Sequence, residues 1–227
     1  MRTNWFFTIL LASVASASFL LSCSKTNDEE AMTADAVSAE LFVEDAALAA
    51  KLMSFNPASP STLDSAEITA LTFIREEELM ARDIYLAMKA LWNLPVFNNI
   101  SKSEQAHANA ILFMLNKYQL PDPAAGHQPG IFSNQDIQTL YNALLAQGSQ
   151  SLVDALYVGA TIEDYDIYDI QHHLGNGIDN PDIVFVLNNL LKGSKNHMKA
   201  FYNHLKFRGV TYMAQYITQA ELDAIVQ

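Results

Sequence analysis

Leu71-Thr72-Phe73-Ile74-Arg75-Glu76-Glu77-Glu78-Leu79-Met80-Ala81-Arg82-Asp83-Ile84-Tyr85 is the stretch that decides the fold. Alternating steps of three and four through it pick out Leu71, Ile74, Glu78, Ala81 and Tyr85, and the same steps continue to Met88 and Trp92. That spacing traces one face of an α-helix and excludes a strand, whose faces repeat every second residue. Such an apolar stripe marks a helix packed into a core. Glu78 interrupts the stripe at its middle. The sequence therefore predicts a helix from about Asp64 to Trp92 with a carboxylate halfway along its buried face.

Three further segments repeat the pattern. The second runs from Pro95, a favourable first helical residue, to about Tyr118, with Phe97, Ile100, Glu104, His107, Ile111, Met114 and Tyr118 on its seam. The third covers roughly Ser149 to His173, through Leu152, Leu156, Gly159, Glu163, Asp166 and Ile170. The fourth starts at Pro181 and presents Ile183, Leu187, Leu190, Ser194, His197 and Phe201. The short turn at Asn93-Leu94 makes the first two antiparallel neighbours, and residues 175–180 join the last two. Between the pairs, Ser133-Asn134-Gln135-Asp136 opens a short helix to about Gln147, with Gly148 expected as its C-cap. The reading is all-α: a four-helix bundle with a long crossover carrying a short extra helix.

Composition agrees. The chain has 227 residues, 50% of them hydrophobic, with only 8 Gly and 7 Pro. This excludes a disordered polymer and favours helices over strands. A net charge of −12 argues against nucleic acid as a partner, because a phosphate binder needs a basic face.

The N-terminus reads as an address. Arg2 precedes an uncharged apolar run from Trp5 to Leu21, a secretory signal pattern. Leu20-Leu21-Ser22-Cys23 resembles a bacterial lipobox, which implies cleavage before Cys23 and lipid on its sulfur. The alternative is an uncleaved anchor. Cys23 is the single cysteine, so a lipidated chain has no thiol left for a Cys-ligated zinc site, an iron–sulfur cluster or a cysteine nucleophile. The expected organisation is a signal peptide over 1–22, then Cys23, a polar tether and a short helix over 23–62, and the bundle with its C-terminal tail over 63–227. The short helix is expected over Ser38–Ser54, broken at Asn56-Pro57-Ala58-Ser59-Pro60. The expected location is the bacterial cell envelope, lipid-anchored to the membrane and either periplasmic or on the cell surface.

The seams carry an anomaly. At their centres stand Glu78; Glu104 and His107; Glu163 and Asp166; Ser194 and His197. Burying a charged carboxylate without compensation costs several kcal/mol, and four would cancel the roughly 5–15 kcal/mol of a typical domain. Protons, arginines or metal must neutralise them. Arg75 and Arg82 flank Glu78 and can brace its helix, but arginines are too few for the rest. Glu and His at i and i+3 share a helical face, so one helix can offer an oxygen and an imidazole nitrogen together.

Glu78-Leu79-Met80-Ala81-Arg82-Asp83-Ile84-Tyr85 resembles the Glu-x-x-Ala-Arg-x-x-Tyr of the first helix of rubrerythrins, and Glu104-Gln105-Ala106-His107 resembles their second-helix Glu-x-x-His. The stretch from about Leu71 to Phe201 is similar to an uncharacterised ferritin-like family known as domain of unknown function 2202. Its phrases stand here as Arg75-Glu76-Glu77-Glu78 with Ala81-Arg82-Asp83, Ser103-Glu104-Gln105-Ala106-His107, Gly159-Ala160-Thr161-Ile162-Glu163, and Gly193-Ser194-Lys195-Asn196-His197. The resemblance implies a ferritin-like bundle holding two metal ions, iron ahead of manganese. Carried over by position, Glu78 is a terminal ligand, Glu104 bridges, His107 binds one metal, Glu163 is the third-helix ligand and His197 holds the second metal. Ser194 departs from the pattern, standing where rubrerythrins have a fourth-helix Glu. Asp166 can restore the count; without it, three carboxylates and two histidines resemble the manganese catalases. Tyr85 is the expected catalytic side chain, hydrogen-bonding a ligand or a bound oxygen species.

Plainer readings stand beside these. Glu76-Glu77-Glu78 is, on composition alone, an exposed acidic run. His172 and His173 suit the negative end of a helix dipole, His127 reads as loop, and the Met residues read as core filling. The expected function is a di-metal carboxylate protein acting on peroxide or oxygen, or oxidising ferrous iron, outside the cytoplasm. It has no Cys-rich electron-donating domain, so a peroxidase would need an external reductant. A homodimer is compatible with the fold, though no interface is marked. The alternative is a non-enzymatic metal-binding or interaction lipoprotein on the same scaffold.

Overall fold

The computed structural model describes residues 62–227; the signal peptide, Cys23, the tether and the helix expected over 38–54 lie outside the described residues. Helix α1 is Ser65–Trp92, α2 Pro95–Lys117, α3 Gln135–Gly148, α4 Leu152–Gly175, α5 Pro181–Phe207 and α6 Gln219–Val226. Among the described residues there is no strand, and no helix is long and apolar enough to cross a membrane.

Local chemistry sets the boundaries. Asp64 opens α1 by accepting from Ala66 N and Glu67 N, while the Glu67 carboxylate accepts from Asp64 N; this reciprocal pairing satisfies donors that a helix start leaves open. Asn93 closes α1 in the left-handed region at φ 49°, a conformation asparagine tolerates better than most residues. Pro95 then starts α2, and Ser151 caps α4 by accepting from Asp154 N. Gly148 differs from expectation. It is the last residue of α3, with Ser149 as the cap, and a Cβ there would stand 2.7 Å from Met88 Sδ. Close packing, rather than a left-handed turn, requires the glycine.

Four helices form the bundle, with α1 beside α2 and α4, and α5 beside α2 and α4. Contacts at its two ends fix the register. At one end Glu67 accepts from Asn180 N and Nδ2 at 3.0 and 2.7 Å, and Asp182 meets Lys117 Nζ and Tyr118 OH at 2.8 Å. At the other, Trp92 Nε1 donates to Gly148 O at 2.9 Å. The crossover therefore travels the length of the bundle, and neighbouring helices are antiparallel. Glu76 and Asp83 pin it to α1: Glu76 accepts from Ser133 N and Asn134 N, and Asp83 from Gly130 N with His127 Nε2 at 2.8 Å. The acidic run is thus not a solvated face; Glu76, Glu77 and Glu78 are all buried.

Two apolar clusters fill the interior. One gathers Met88, Phe97, Leu156 and Phe201 at the Trp92 end. The other gathers Leu71, Ile111, Met114, Ile170 and Leu187 at the Glu67 end. The ionisable seam residues form a layer between them.

The C-terminal segment lies along the flank of the bundle rather than over an end. The buried carboxylate of Asp164 accepts from Tyr212 OH at 2.7 Å, Gln215 N at 2.6 Å and Ile217 N at 2.9 Å. Asp164→Ala leaves these donors without a partner, at a cost of about 1–3 kcal/mol or more. The expected result is a Tm lower by roughly 4–10 °C, with amide exchange accelerated over 212–217 before the rest of the chain. Unchanged protection there would contradict this anchoring.

Candidate metal centre

Each bundle helix brings one part of the layer. Glu78 sits near the middle of α1, Glu104 and His107 share a face of α2, Glu163 lies on α4 and His197 on α5. All five are at most 1% exposed. Glu104 stands at the centre. Its Oε2 is 3.0 Å from His107 Nδ1, and its Oε1 is 2.9 Å from His197 Nδ1. Glu78 Oε2 approaches His107 Nδ1 at 3.2 Å, and Glu163 Oε2 approaches His197 Nδ1 at 3.3 Å. Two triads result, Glu78–Glu104–His107 and Glu104–Glu163–His197, each with ligand atoms within 4.8 Å of one another. They share Glu104.

Neighbours hold the rings in place. The imidazoles stack at 5.6 Å between centroids, and His197 Nε2 lies 2.8 Å from Ser103 Oγ. That contact lets Nε2 carry a proton while Nδ1 faces the carboxylates, a common orienting arrangement for a ligand histidine. A Cβ on Gly193 would stand 2.6 Å from His107 Cε1 and Nε2, so α5 makes room for the His107 ring by lacking one. Tyr85 OH donates to Glu163 Oε1. Ser103 and Gly193 lie inside quoted motifs, yet periodicity gives neither a role; only their neighbours on other helices do.

Ser194 and Asp166 stand outside both triads. Ser194 Oγ donates to Leu190 O at 3.2 Å and so is engaged by its own helix. Asp166 is buried one turn from Glu163 but belongs to neither triad, and its two carboxylate oxygens have no hydrogen-bond partner. The arginines serve the framework: Arg75 pairs with Asp122 and Arg82 with Asp83. Of the histidines read as structural, His173 pairs with Asp169 and His172 O accepts from Asn176 Nδ2.

Electrostatics sharpen the anomaly. Burial pushes Glu78 up to about 8 and Glu163 up to about 7, although His107 and His197 pull in the other direction. Burial alone would lower His197, but Glu104 and Glu163 outweigh it and raise the imidazole to about 10. Burial also works to raise Glu104, yet His197 and His107 hold it well below the usual carboxylate range. Burial and neighbouring acids push Glu77 and Asp166 far up. The layer attracts cations, whether protons or metal. Its donor set is oxygen and imidazole nitrogen without sulfur, a set that first-row divalent metals from manganese to zinc accept.

The sign of the pH dependence follows. Glu78, Glu163 and His197 hold protons more tightly folded than unfolded. The stability they contribute is complete below the ordinary values of 4.5 and 6.5, and is lost as pH rises through about 7, 8 and 10. Glu104 works oppositely, but its contribution falls away only on acidification below 4.5. Metal-free protein should lose Tm between about pH 5 and about pH 9, and saturating manganese should flatten that decline because metal replaces the protons. A metal-free Tm that is level or rising over that range would contradict the assignment.

Comparisons with known proteins place these residues in a family. Residues 67–227 match the family described as "Uncharacterized protein domain (DUF2202)". The chain is 47% identical over 160 residues to the uncharacterised protein MJ0754 of Methanocaldococcus jannaschii, a match covering 70% of this chain and 86% of that protein. The crystal structure of hypothetical protein MJ0754, from Methanococcus jannaschii, resembles it with a TM-score of 0.73 at 43% identity, covering 75% of this chain and 97% of that one. The chain belongs to the DUF2202 family.

Proposed function

We propose that this protein is a di-metal carboxylate protein, holding iron or manganese and acting on peroxide or oxidising ferrous iron outside the cytoplasm. The observation that carries the reading is Glu104, whose two oxygens each face a different histidine Nδ1. Glu78 and His107 would hold one ion, Glu163 and His197 the other, with Glu104 between them. Bound there, a redox-active pair supplies electron transfer to oxygen or peroxide.

The chain's own residues do the rest. Tyr85, Phe97 and Phe201 close one side with ring centroids 5.3–6.5 Å apart, which keeps water from the carboxylates on that side. Burial and the nearby Glu163 hold the Tyr85 phenol protonated, so it remains a donor toward the Glu163 carboxylate. It fixes which carboxylate oxygen turns to the centre. The apolar run ending at Leu20-Leu21-Ser22-Cys23 supports placing the domain at the cell envelope, anchored by lipid on Cys23.

Ser194 favours a second reading, a metal-holding protein without turnover, because its position offers no carboxylate. Elemental analysis of chain purified without chelator separates the two. The expected result is about two iron or manganese ions per chain, falling to near zero in Glu104→Ala and Glu104→Gln variants whose circular dichroism remains helical. Peroxide consumption or ferrous oxidation should disappear with the metal. Turnover retained in those variants would sink the proposal, and tightly held zinc without turnover would establish the second reading.

Gly193→Ala tests the role of His107 without touching a ligand. The added Cβ displaces the ring, and metal affinity should fall about tenfold or more, the usual range for disturbing a ligand's support. Competition against a chelator of known affinity measures it, and wild-type affinity in the variant would refute the role given to Gly193.

A further inference from the structure

A line of acidic side chains leads away from the paired triads along the seam between α1 and α4. Glu77 on α1 and Asp166 on α4 are each 1% exposed. Glu77 Oε1 and both Asp166 oxygens lack a hydrogen-bond partner. Among its charged neighbours Asp166 feels Glu77 most, then Glu163 in the centre; Glu77 feels Asp169 most. Asp169 lies one turn beyond Asp166 on α4, where its side chain is 13% exposed and meets His173 Nε2 at 3.2 Å. Glu163, Asp166 and Asp169 follow one another at intervals of about one turn along α4, and Glu77 stands next to Glu78 on α1, which packs against α4; of the three outside the triads, Asp169 is the most exposed.

Among the described residues, the two arginines of α1 are engaged away from the inner members. Arg75 is committed to Asp122 and Ala108 O, and Arg82 to Asp83 and Gln105. Elsewhere the layer is walled by apolar groups. Tyr85, Phe97 and Phe201 stand on one side, and the Leu71–Ile111–Leu187 cluster on the other. The line is not a resident chelate either, because its ligand atoms do not close to within 4.8 Å as a set, as those of each triad do. Unpartnered buried carboxylates are costly to keep. A dehydrating divalent cation needs an oxygen donor at each step inward, and these oxygens supply such steps.

We propose that Asp169, Glu77 and Asp166 form a track along which divalent cations pass from the surface, at the seam between α1 and α4, into the paired centre. The inference rests on the metal reading of that centre. Asp169 gathers the ion at the mouth, and Glu77 and Asp166 hand it to Glu163.

Loading kinetics test it. Metal-free full-length protein is mixed with cobalt(II), whose visible absorption reports ligation, and both the rate and the final cobalt per chain are recorded. Asp169→Asn should slow loading about tenfold or more, in line with loss of a steering charge, while the final stoichiometry and spectrum match wild type. His173→Gln, which removes the same contact but keeps the carboxylate, should load at close to the wild-type rate. An unchanged rate in Asp169→Asn overturns the track alone. So does a lowered stoichiometry there, or equal slowing in His173→Gln, since either makes Asp169 a structural group. A wild-type chain that takes up no cobalt overturns the paired-centre reading, and the track with it.

Discussion

The bundle is arranged around one buried carboxylate held between two imidazoles. Glu104 can face both His107 and His197 only because α2 and α5 deliver their side chains to the same level, where α1 and α4 add Glu78 and Glu163. Around it the charge does not balance. Glu77, Glu78, Glu104, Glu163 and Asp166 are all buried there, against two imidazoles. With all five ionised, the layer would carry an excess of negative charge even if both rings were protonated. In water that excess would be trivial, but at low dielectric it decides which species the protein can hold. Protons and metal ions are the two solutions, and they compete for the same oxygens.

The apolar parts make that layer possible. Two clusters bracket it, so the helices are stabilised above and below a level that by itself disfavours folding. Register is then set at the ends, by Glu67 with Asn180 and by Trp92 with Gly148. These polar clamps lie far from the centre yet determine it, because a one-residue slip rotates a helical position by about 100°. The buried Glu76, Asp83 and Asp164 extend the principle to the irregular segments. Glu76 and Asp164 gather several backbone N–H groups, and Asp83 takes one with the His127 ring, from segments that have no ladder of their own, as buried backbone donors require.

The bundle was legible because helical periodicity is a local property. Alternating steps of three and four found each buried face, and Asn93-Leu94-Pro95 marked the turn. The level of the layer was also legible, since each seam broke at a charged or polar residue. What could not be read depends on which residue meets which across helices. Glu76, Glu77 and Glu78 look alike in sequence; their different fates, clamping the crossover, lying unpartnered in the seam and joining a triad, are set by neighbours from three other elements. Asp166 is buried one turn beyond Glu163 on α4, as its seam position suggests, but it joins neither triad, and of its charged neighbours Glu77 acts on it more strongly than Glu104. Gly193 and Ser103 were invisible for the same reason, because each acts on a histidine from another helix. The expected signal peptide, lipidated Cys23, tether and short helix lie outside the described residues.

The Gly193-Ser194 pair shows how the parts constrain one another. Ser194 Oγ is spent on Leu190 O, and the preceding glycine lets the His107 ring lie against α5 without a Cβ between them. A fourth carboxylate on α5 would have added another negative charge to a layer already in excess. The carboxylate nearest to filling that count stands instead on α4, at Asp166, on the side where the acidic line runs toward solvent. The centre is consequently lopsided. Phenol and phenyl rings close it beside Glu163, while unpartnered oxygens continue it beyond Asp166. A cation held there would meet low polarity on one side and oxygen donors on the other, and this difference gives the layer a direction.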